Sequence, residues 1–352
     1  MRPPFTHSIF ALVGFITFGC ASTFVHPNPI LSLPAKNGLR IAFGSCNKQF
    51  RDQPMWSRIL AAQPDLWIWM GDIVYANTRD SNKIRRAYRQ QLSQPGYRHL
   101  LTACPVIGIW DDHDFGENDA DGNYPLKDIS QQLLLDFLYE PADTPRRRQR
   151  GAYTALDLKR DDMTVRIILL DVRYFRDVPG PDADILGELQ WRWLESQVRN
   201  SPADFHLIVT PSVLIEDRHD GEKWADFPTA RRRFLNLVET TRPKGLILLS
   251  GDRHFADVSR LFLSDGAPLY EITSSGLTHC RLEKIRNPFD GAENPYRTQH
   301  PYFGLNFGVL DIESRADGWV VTASICDVDG RVRMREILGF TEGRVQTAAS
   351  MR

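Results

Sequence analysis

Four short apolar runs in this sequence each end in a knot of ionisable side chains, and that arrangement restricts the fold more than any other feature. Ile41-Ala42-Phe43-Gly44-Ser45-Cys46 ends in a potential thiolate. Trp67-Ile68-Trp69-Met70-Gly71-Asp72-Ile73-Val74-Tyr75 ends in a carboxylate with a phenol three residues on. Ile107-Gly108-Ile109-Trp110-Asp111-Asp112-His113-Asp114 sets three carboxylates around a histidine, and Leu248-Leu249-Ser250-Gly251-Asp252-Arg253-His254 offers a carboxylate and an imidazole two apart. A single Asp or Cys at a strand end is ordinarily a cap or a turn residue. Four clusters in the same place relative to their strands point elsewhere, because carboxylates packed together repel unless a cation neutralises them.

The runs Leu39 to Gly44, Leu66 to Met70, Val106 to Trp110, Val165 to Leu170, His206 to Val209 and Leu246 to Leu249 have strand length. Between them lie helical patterns: Gly187 to Arg199, with Leu189, Trp193 and Val198 on one face, and Phe227 to Thr240, with Phe234, Leu235 and Val238 apolar. Alternating strands and helices predict an α/β fold, α+β in strict terms, with helices packed over sheets. In such folds ligands sit beyond the carboxyl ends of the strands. The C-terminal third reads as successive antiparallel strands at Leu269 to Thr273, Phe307 to Ile312, Val320 to Ile325 and Val332 to Ile337. Asn287 to Pro301 reads as a long loop able to border the site. The basic run Arg146 to Arg150 reads as a solvated loop, with a phosphorylated polymer or lipid headgroup as the rival use.

With 352 residues, 42% of them hydrophobic and 25% charged, the chain is globular rather than fibrous or disordered. Its formal net charge of −1 gives no bulk attraction for nucleic acid, so no specific nucleic-acid binding is expected. A short positive start, an apolar run from Ile9 to Phe18 and Gly19-Cys20-Ala21-Ser22 follow the order of an export signal. Thr17-Phe18-Gly19-Cys20 resembles a lipoprotein processing site, which would leave a lipidated Cys20 and a periplasmic or membrane-anchored protein. The expected division is an export signal at 1–20, a proline-rich tether at 21–38, a catalytic domain at 39–340 and a tail at 341–352. Of the five cysteines, Cys20 and Cys46 have their own explanations. Cys104, Cys280 and Cys326 leave room for at most one disulfide.

Aspartate oxygens suit hard cations and imidazole suits Zn, Fe or Mn, while a thiolate together with a phenolate favours a strongly Lewis-acidic ion such as Fe(III). Two metals about 3.5–4 Å apart can clamp a phosphate and lower the pKa of a bridging water. Hydrolysis of a phosphate ester follows from that chemistry.

Gly-Ser-Cys46, Gly-Asp72-Ile-Val-Tyr75, Trp-Asp-Asp112-His113-Asp114-Phe-Gly-Glu-Asn118-Asp119 and Gly-Asp252-Arg253-His254-Phe255 resemble the ordered signatures of the alkaline phosphatase D (PhoD-like) metallophosphatases. Leu170-Asp171-Val172-Arg173-Tyr174 and Thr273-Ser274-Ser275-Gly276-Leu277-Thr278-His279 resemble two more, and the likeness runs from about Leu39 to about Ile312. The resemblance implies a four-layer metallophosphatase-type fold, two packed mixed β-sheets flanked by helices. It implies a phosphomonoesterase or phosphodiesterase with a metal-activated water, using Fe(III) with Ca2+ or another divalent metal (Zn2+, Mn2+ or Mg2+). Carried over, Cys46, Asp72, Tyr75 and His254 would hold the iron, and Asp72 would bridge to a second metal shared by Asp112 and Asp252. His113 would protonate the leaving oxygen or hold the substrate phosphate.

Asn118 and Arg173 would reach phosphate or support the ligands, since a guanidinium can grip phosphate oxygens bidentately. For Arg173 an ordinary salt bridge to Asp171 or Asp177 is the rival reading. His279, in the Ser-Gly-Leu-Thr-His run, is expected to line the pocket. The chain departs from the pattern after His206 to Val209, where related enzymes place a histidine ligand and this one has Thr210-Pro211. A weaker second site, or calcium in it, would follow. An envelope phospholipase C-type phosphodiesterase is the rival enzyme, and a non-catalytic phosphate- or metal-binding envelope protein the rival from another class.

Overall fold

The computed structural model describes residues 28–280, 294–315, 318–341 and 344–346. The strands in chain order are β1 (Ile30–Ser32), β2 (Leu39–Gly44), β3 (Leu66–Met70), β4 (Val106–Ile109), β5 (Thr154–Arg160), β6 (Met163–Leu169), β7 (Phe205–Thr210), β8 (Leu246–Ser250), β9 (Ala256–Phe262), β10 (Pro268–Ser274), β11 (Asn306–Arg315), β12 (Gly318–Asp327), β13 (Val332–Thr341) and β14 (Arg344–Gln346). One seven-stranded sheet runs β1-β5-β6-β7-β8-β10-β9, the other β14-β13-β12-β11-β2-β3-β4. In the second sheet β2, β3 and β4 are parallel, and in the first β6, β7, β8 and β10 are parallel. Within each sheet the carboxyl ends of these strands therefore share one edge. The expected mixed sheets flanked by helices are present.

Strands buried on both faces read as unbroken apolar runs, and the core shows both faces in use. Ile167, Leu169, Leu207, Val209, Ile247 and Leu249 join the large core that also holds Ile41, Phe43 and Ile68 of the other sheet. The alternate residues Ile168, Ile208 and Leu248 pack with Trp191, Leu194, Phe234 and Val238 of the helices Gly187–Val198 and Pro228–Thr241. On the outer face of β3, Trp67 and Trp69 meet Trp56 and Tyr97 with ring centroids 5.2–5.6 Å apart. Edge-on aromatic contacts of this kind fix the helices Met55–Ala61 and Pro95–Ala103 over the parallel strands.

Several expectations are corrected. The helix at Gly187 buries Trp191, Leu194 and Val198, while Leu189 is exposed, because the inward stripe follows the i, i+3, i+7 positions from Trp191. Leu269 to Thr273 does not continue an antiparallel run: β10 lies parallel to β8 and antiparallel to β9. Within the expected tether, Ile30–Ser32 adds an edge strand parallel to β5, and within the expected tail, Arg344–Gln346 pairs with β13. The basic run is solvated only in part, with Arg148 and Arg150 exposed. Arg146 is buried, its guanidinium donating to the carbonyls of Ala152 and Gly108, and Arg147 pairs with Asp136. Among the described residues, Cys46, Cys104 and Cys326 are in no disulfide. The export segment, Cys20 and part of the Asn287 to Pro301 loop lie outside the described residues. No helix among the described residues is long and apolar enough to cross a membrane.

Candidate metal centre

The register between neighbouring strands brings the four clusters to one place. Leu66 pairs with Ile41 and Ile109 with Met70, so the exits from β2, β3 and β4 lie side by side. The exit from β8 crosses to meet them. A Cβ on Gly251 would lie 2.6 Å from Ser45 Oγ and 2.8 Å from the Met70 carbonyl oxygen, a gap that admits no side chain. The exits from β2, β3 and β8 then turn through left-handed backbone: φ is 62° at Cys46, 51° at Asp72, 64° at Asp252 and 58° at His254. Such a conformation costs a non-glycine residue roughly 1–2 kcal/mol, and residues held there collect at functional sites. Here it aims the side chain just past the strand end into the space between the sheets.

Cys46 Sγ lies 3.5 Å from Asp72 Oδ2, and Tyr75 Oη donates to the same oxygen at 2.8 Å. Tyr75 Oη is also 3.1 Å from Nε2 of His254 and 3.1 Å from Nε2 of His279. Among the described residues, three sets of side chains have ligand atoms within 4.8 Å of one another: Cys46, Asp72 and His254; Asp72, Asp112 and His113; and Asp112, Asp119 and Glu222. Asp72 belongs to the first two and Asp112 to the last two, so the sets form a chain of adjoining cation positions.

The charges in this space are unbalanced without a cation. Burial, then the negative charges of Asp112, Asp111, Asp114 and Asp252, pushes the Asp72 carboxyl well above the carboxylate range. Burial, then Asp72 and Asp252, raises the Cys46 thiol. Burial with Glu222 and Asp112 pushes Asp252 up to about 7. Asp72 Oδ1 and Asp112 Oδ1 are both buried without a hydrogen-bond partner, and an unsatisfied buried group costs about 1–3 kcal/mol, more when charged. A cation would answer all of these at once. The thiolate, carboxylate, phenol and imidazole donors fit a transition metal.

Of the three adjacent carboxylates, Asp112 faces this space. Asp114 instead accepts the backbone N–H groups of Asp111 and Ile73, at 2.7 and 3.0 Å, and closes the turn. Asp111 is taken by Arg173, whose Nε lies 2.6 Å from Asp111 Oδ1. Asp112 accepts the Asp119 backbone N–H at 2.8 Å. Its burial is outweighed by the charge of Arg173, by His113 and by backbone donors, and its pKa is lowered. His113 Nδ1 is 2.6 Å from Asn77 Oδ1, and its ring lies 4.0 Å from that of Tyr75.

Arg173 is fully buried; its backbone N–H donates to Asp171 Oδ1 at 2.9 Å, but its guanidinium pairs with neither Asp171 nor Asp177. The guanidinium holds Asp111 on one side and both oxygens of Glu222 on the other, at 3.1 and 2.5 Å. Asn118 is exposed, directly before Asp119 of the third set. Asp252 is partly buried and adds its charge to the site, though outside the three ligand sets. Sequence reasoning assigned no role to Asp119 or Glu222. Glu222 sits on the loop after β7, and no local pattern marks it; its contact with Arg173 and Arg176 exists only in three dimensions.

Comparison with known proteins agrees with the resemblance read from the motifs. The model of the PhoD-like phosphatase family matches residues 158–323, which include Arg173, Asp252, His254 and His279. Alkaline phosphatase D of Bacillus subtilis (strain 168) is 20% identical over 314 residues, covering 71% of this chain and 50% of that protein. The chain thus spans about half the length of this curated relative. Among solved structures, PhoD superposes with a TM-score of 0.69 at 16% identity, covering 89% of this chain and 72% of that one. GAP50, the anchor in the inner membrane complex of Plasmodium, gives 0.57 at 15% identity, covering 87% and 90%. At these identities the two structures share the fold.

Proposed function

We propose that this chain, which carries a PhoD-like phosphatase domain, hydrolyses phosphate esters using metal ions held between the carboxyl edges of its two sheets. The observation that carries the reading is the pair of buried carboxylates, Asp72 and Asp112, each with an oxygen left unpartnered among thiol, phenol and imidazole donors. In this reading Cys46, Asp72, Tyr75 and His254 hold Fe(III). Asp72, Asp112 and Asp252 would hold a second ion, Ca2+ or another divalent metal. When bound, the metal pair supplies Lewis acidity and a water acidic enough to attack phosphorus at neutral pH.

The chain's own groups do the rest. Asn77 Oδ1 accepts from His113 Nδ1 and so fixes the imidazole tautomer. Nε2 is left to hold or move a proton at the leaving oxygen. The Asp119 backbone N–H orients Asp112. Arg173, closed off by Asp111 and Glu222, serves by keeping the Asp111–Asp112 turn in place rather than by touching phosphate.

Turnover of nitrophenyl phosphate and bis-nitrophenyl phosphate, with and without chelator, tests this reading, with metal analysis on the same preparations. Wild type should contain iron and lose activity on chelation, and Asp72→Asn should lose most of its turnover. Unchanged hydrolysis by pure Asp72→Asn would overturn the catalytic assignment, and the ratio of the two substrates separates monoesterase from diesterase. We also propose export with lipidation of Cys20. A mature protein that keeps Met1, or an unmodified Cys20, would refute those two statements in turn.

A further inference from the structure

His279 lies on the segment after β10, buried, and no part of the proposed ligand set claims it. Its Nε2 is 3.1 Å from Tyr75 Oη and 3.1 Å from His254 Nε2, and the latter two atoms are also 3.1 Å apart. Three heteroatoms in such a triangle repel unless hydrogens are directed between them. The phenol has one hydrogen, and it points to Asp72 Oδ2 at 2.8 Å. Toward the imidazoles the phenol oxygen can therefore only accept.

A histidine that binds a metal presents a bare nitrogen to it. If His254 serves as a ligand through Nε2, the hydrogen filling the triangle must come from His279. On the far side of the His279 ring, the Thr278 hydroxyl lies 3.4 Å from Nδ1. Thr278 Oγ1 in turn accepts the backbone N–H of Lys48 at 2.7 Å, which ties the segment to the loop that carries Cys46. The His279 ring meets that of Tyr75 edge-on, with an interplanar angle of 81°. An edge approach brings a ring N–H to the phenol oxygen.

We propose that His279 is a positioning residue of the metal centre, donating its Nε2–H to Tyr75 Oη and holding that oxygen toward Asp72 and His254. The inference rests on the reading of Tyr75 as an iron ligand. His279 stands outside the Cys46, Asp72 and His254 set, so it acts through Tyr75. Partners of this kind typically change metal affinity about 10–100-fold when removed. A hydrogen bond to a phenolate oxygen lowers the energy of its electron pairs, so losing it moves a phenolate-to-iron(III) absorption band to longer wavelength.

The test compares iron(III)-loaded wild type, Tyr75→Phe, His279→Gln, His279→Asn and His279→Leu by visible absorption and by iron retention against a chelator. A glutamine amide places an N–H near the position of Nε2, and an asparagine amide only near Nδ1. Wild type should show the band, Tyr75→Phe should lack it, and His279→Gln should match wild type. His279→Asn and His279→Leu should shift to longer wavelength and hold iron about 10–100-fold less tightly. If the leucine variant does not fold, the two amides, alike in polarity, decide the matter. Equal shifts for Gln and Asn would mark a packing effect, and a wild-type band unshifted in every His279 variant would remove the hydrogen bond; either overturns the inference while leaving Tyr75 as a ligand. An iron-loaded wild type without the band would overturn the ligand reading and this inference with it.

Discussion

Replacing Arg173 with methionine tests whether the buried ion network, rather than a phosphate contact, is what this residue provides. The side chain is fully buried and pairs with Asp111, also fully buried, and with Glu222. Methionine fills most of the volume but leaves Asp111 as an uncompensated charge whose Oδ2 is already without a partner. Breaking a buried pair in this way costs about 3–5 kcal/mol. At roughly 2 °C per kcal/mol for a chain of this size, the melting temperature should fall by about 6–10 °C. For comparison, breaking the exposed Arg199–Glu195 pair should cost no more than about 1 kcal/mol. The assay is chemical and thermal unfolding of metal-loaded protein, with Arg173→Met/Asp111→Asn beside the single variants. The double variant should recover part of the loss, because it removes the stranded charge. A single variant that loses less than about 1 kcal/mol, and whose KM for nitrophenyl phosphate rises while stability holds, would refute the argument and return Arg173 to the substrate.

Gly71 adopts φ 91°, and a Cβ there would lie 2.6 Å from Asp111 Cβ; Gly71→Ala should therefore cost about 2–4 kcal/mol by unfolding measurements, from left-handed strain and overpacking, and should lower bound metal in the purified protein. His206 is buried with Nδ1 2.7 Å from the Lys244 carbonyl, and burial lowers its pKa from 6.5 to about 4. The folded state thus rejects a proton that the unfolded chain accepts, so this contribution to stability is complete above about pH 6.5 and is lost as pH falls toward 4. Against non-titrating His206→Asn, wild type should lose about 3 kcal/mol across that window, and parallel stability curves would contradict it. Chelation should lower the melting temperature, since an ion at 100 times its dissociation constant stabilises by about 2.7 kcal/mol; a melting temperature indifferent to chelator would count against a metal in this site.

The strands that carry the site were the most legible part of the sequence, because β2, β3 and β8 are buried on both faces and so leave apolar runs with sharp polar ends. Local order also marked Cys46, Asp72 and His254, each within four residues of such an end. What stayed hidden depends on partners far along the chain. The roles of Asp111, Asp112 and Asp114 are divided by Arg173, by the Asp119 backbone and by the Ile73 backbone, none of which a pattern of three carboxylates reveals. The short edge strand β1 was hidden because three exposed or half-exposed residues beside prolines carry no periodicity, and its pairing is supplied by β5. Arg146 looked solvated for the same reason: a run of arginines does not say which one turns inward to meet the carbonyls of Ala152 and Gly108.

The proposed ligands follow strands of both sheets, Cys46, Asp72, Tyr75 and Asp112 those of one and Asp252 and His254 those of the other. Tyr75 and His254, whose side chains touch, are separated by 179 positions in the chain. Contacts of such long range are the slowest to form, because the loop between them must close first. A growing chain that ends before residue 252 holds four of the six proposed donors and no complete site. In the proposed reading, metal capture is a late event in the life of the molecule, and a bound ion would certify that the two halves of the polypeptide have found each other.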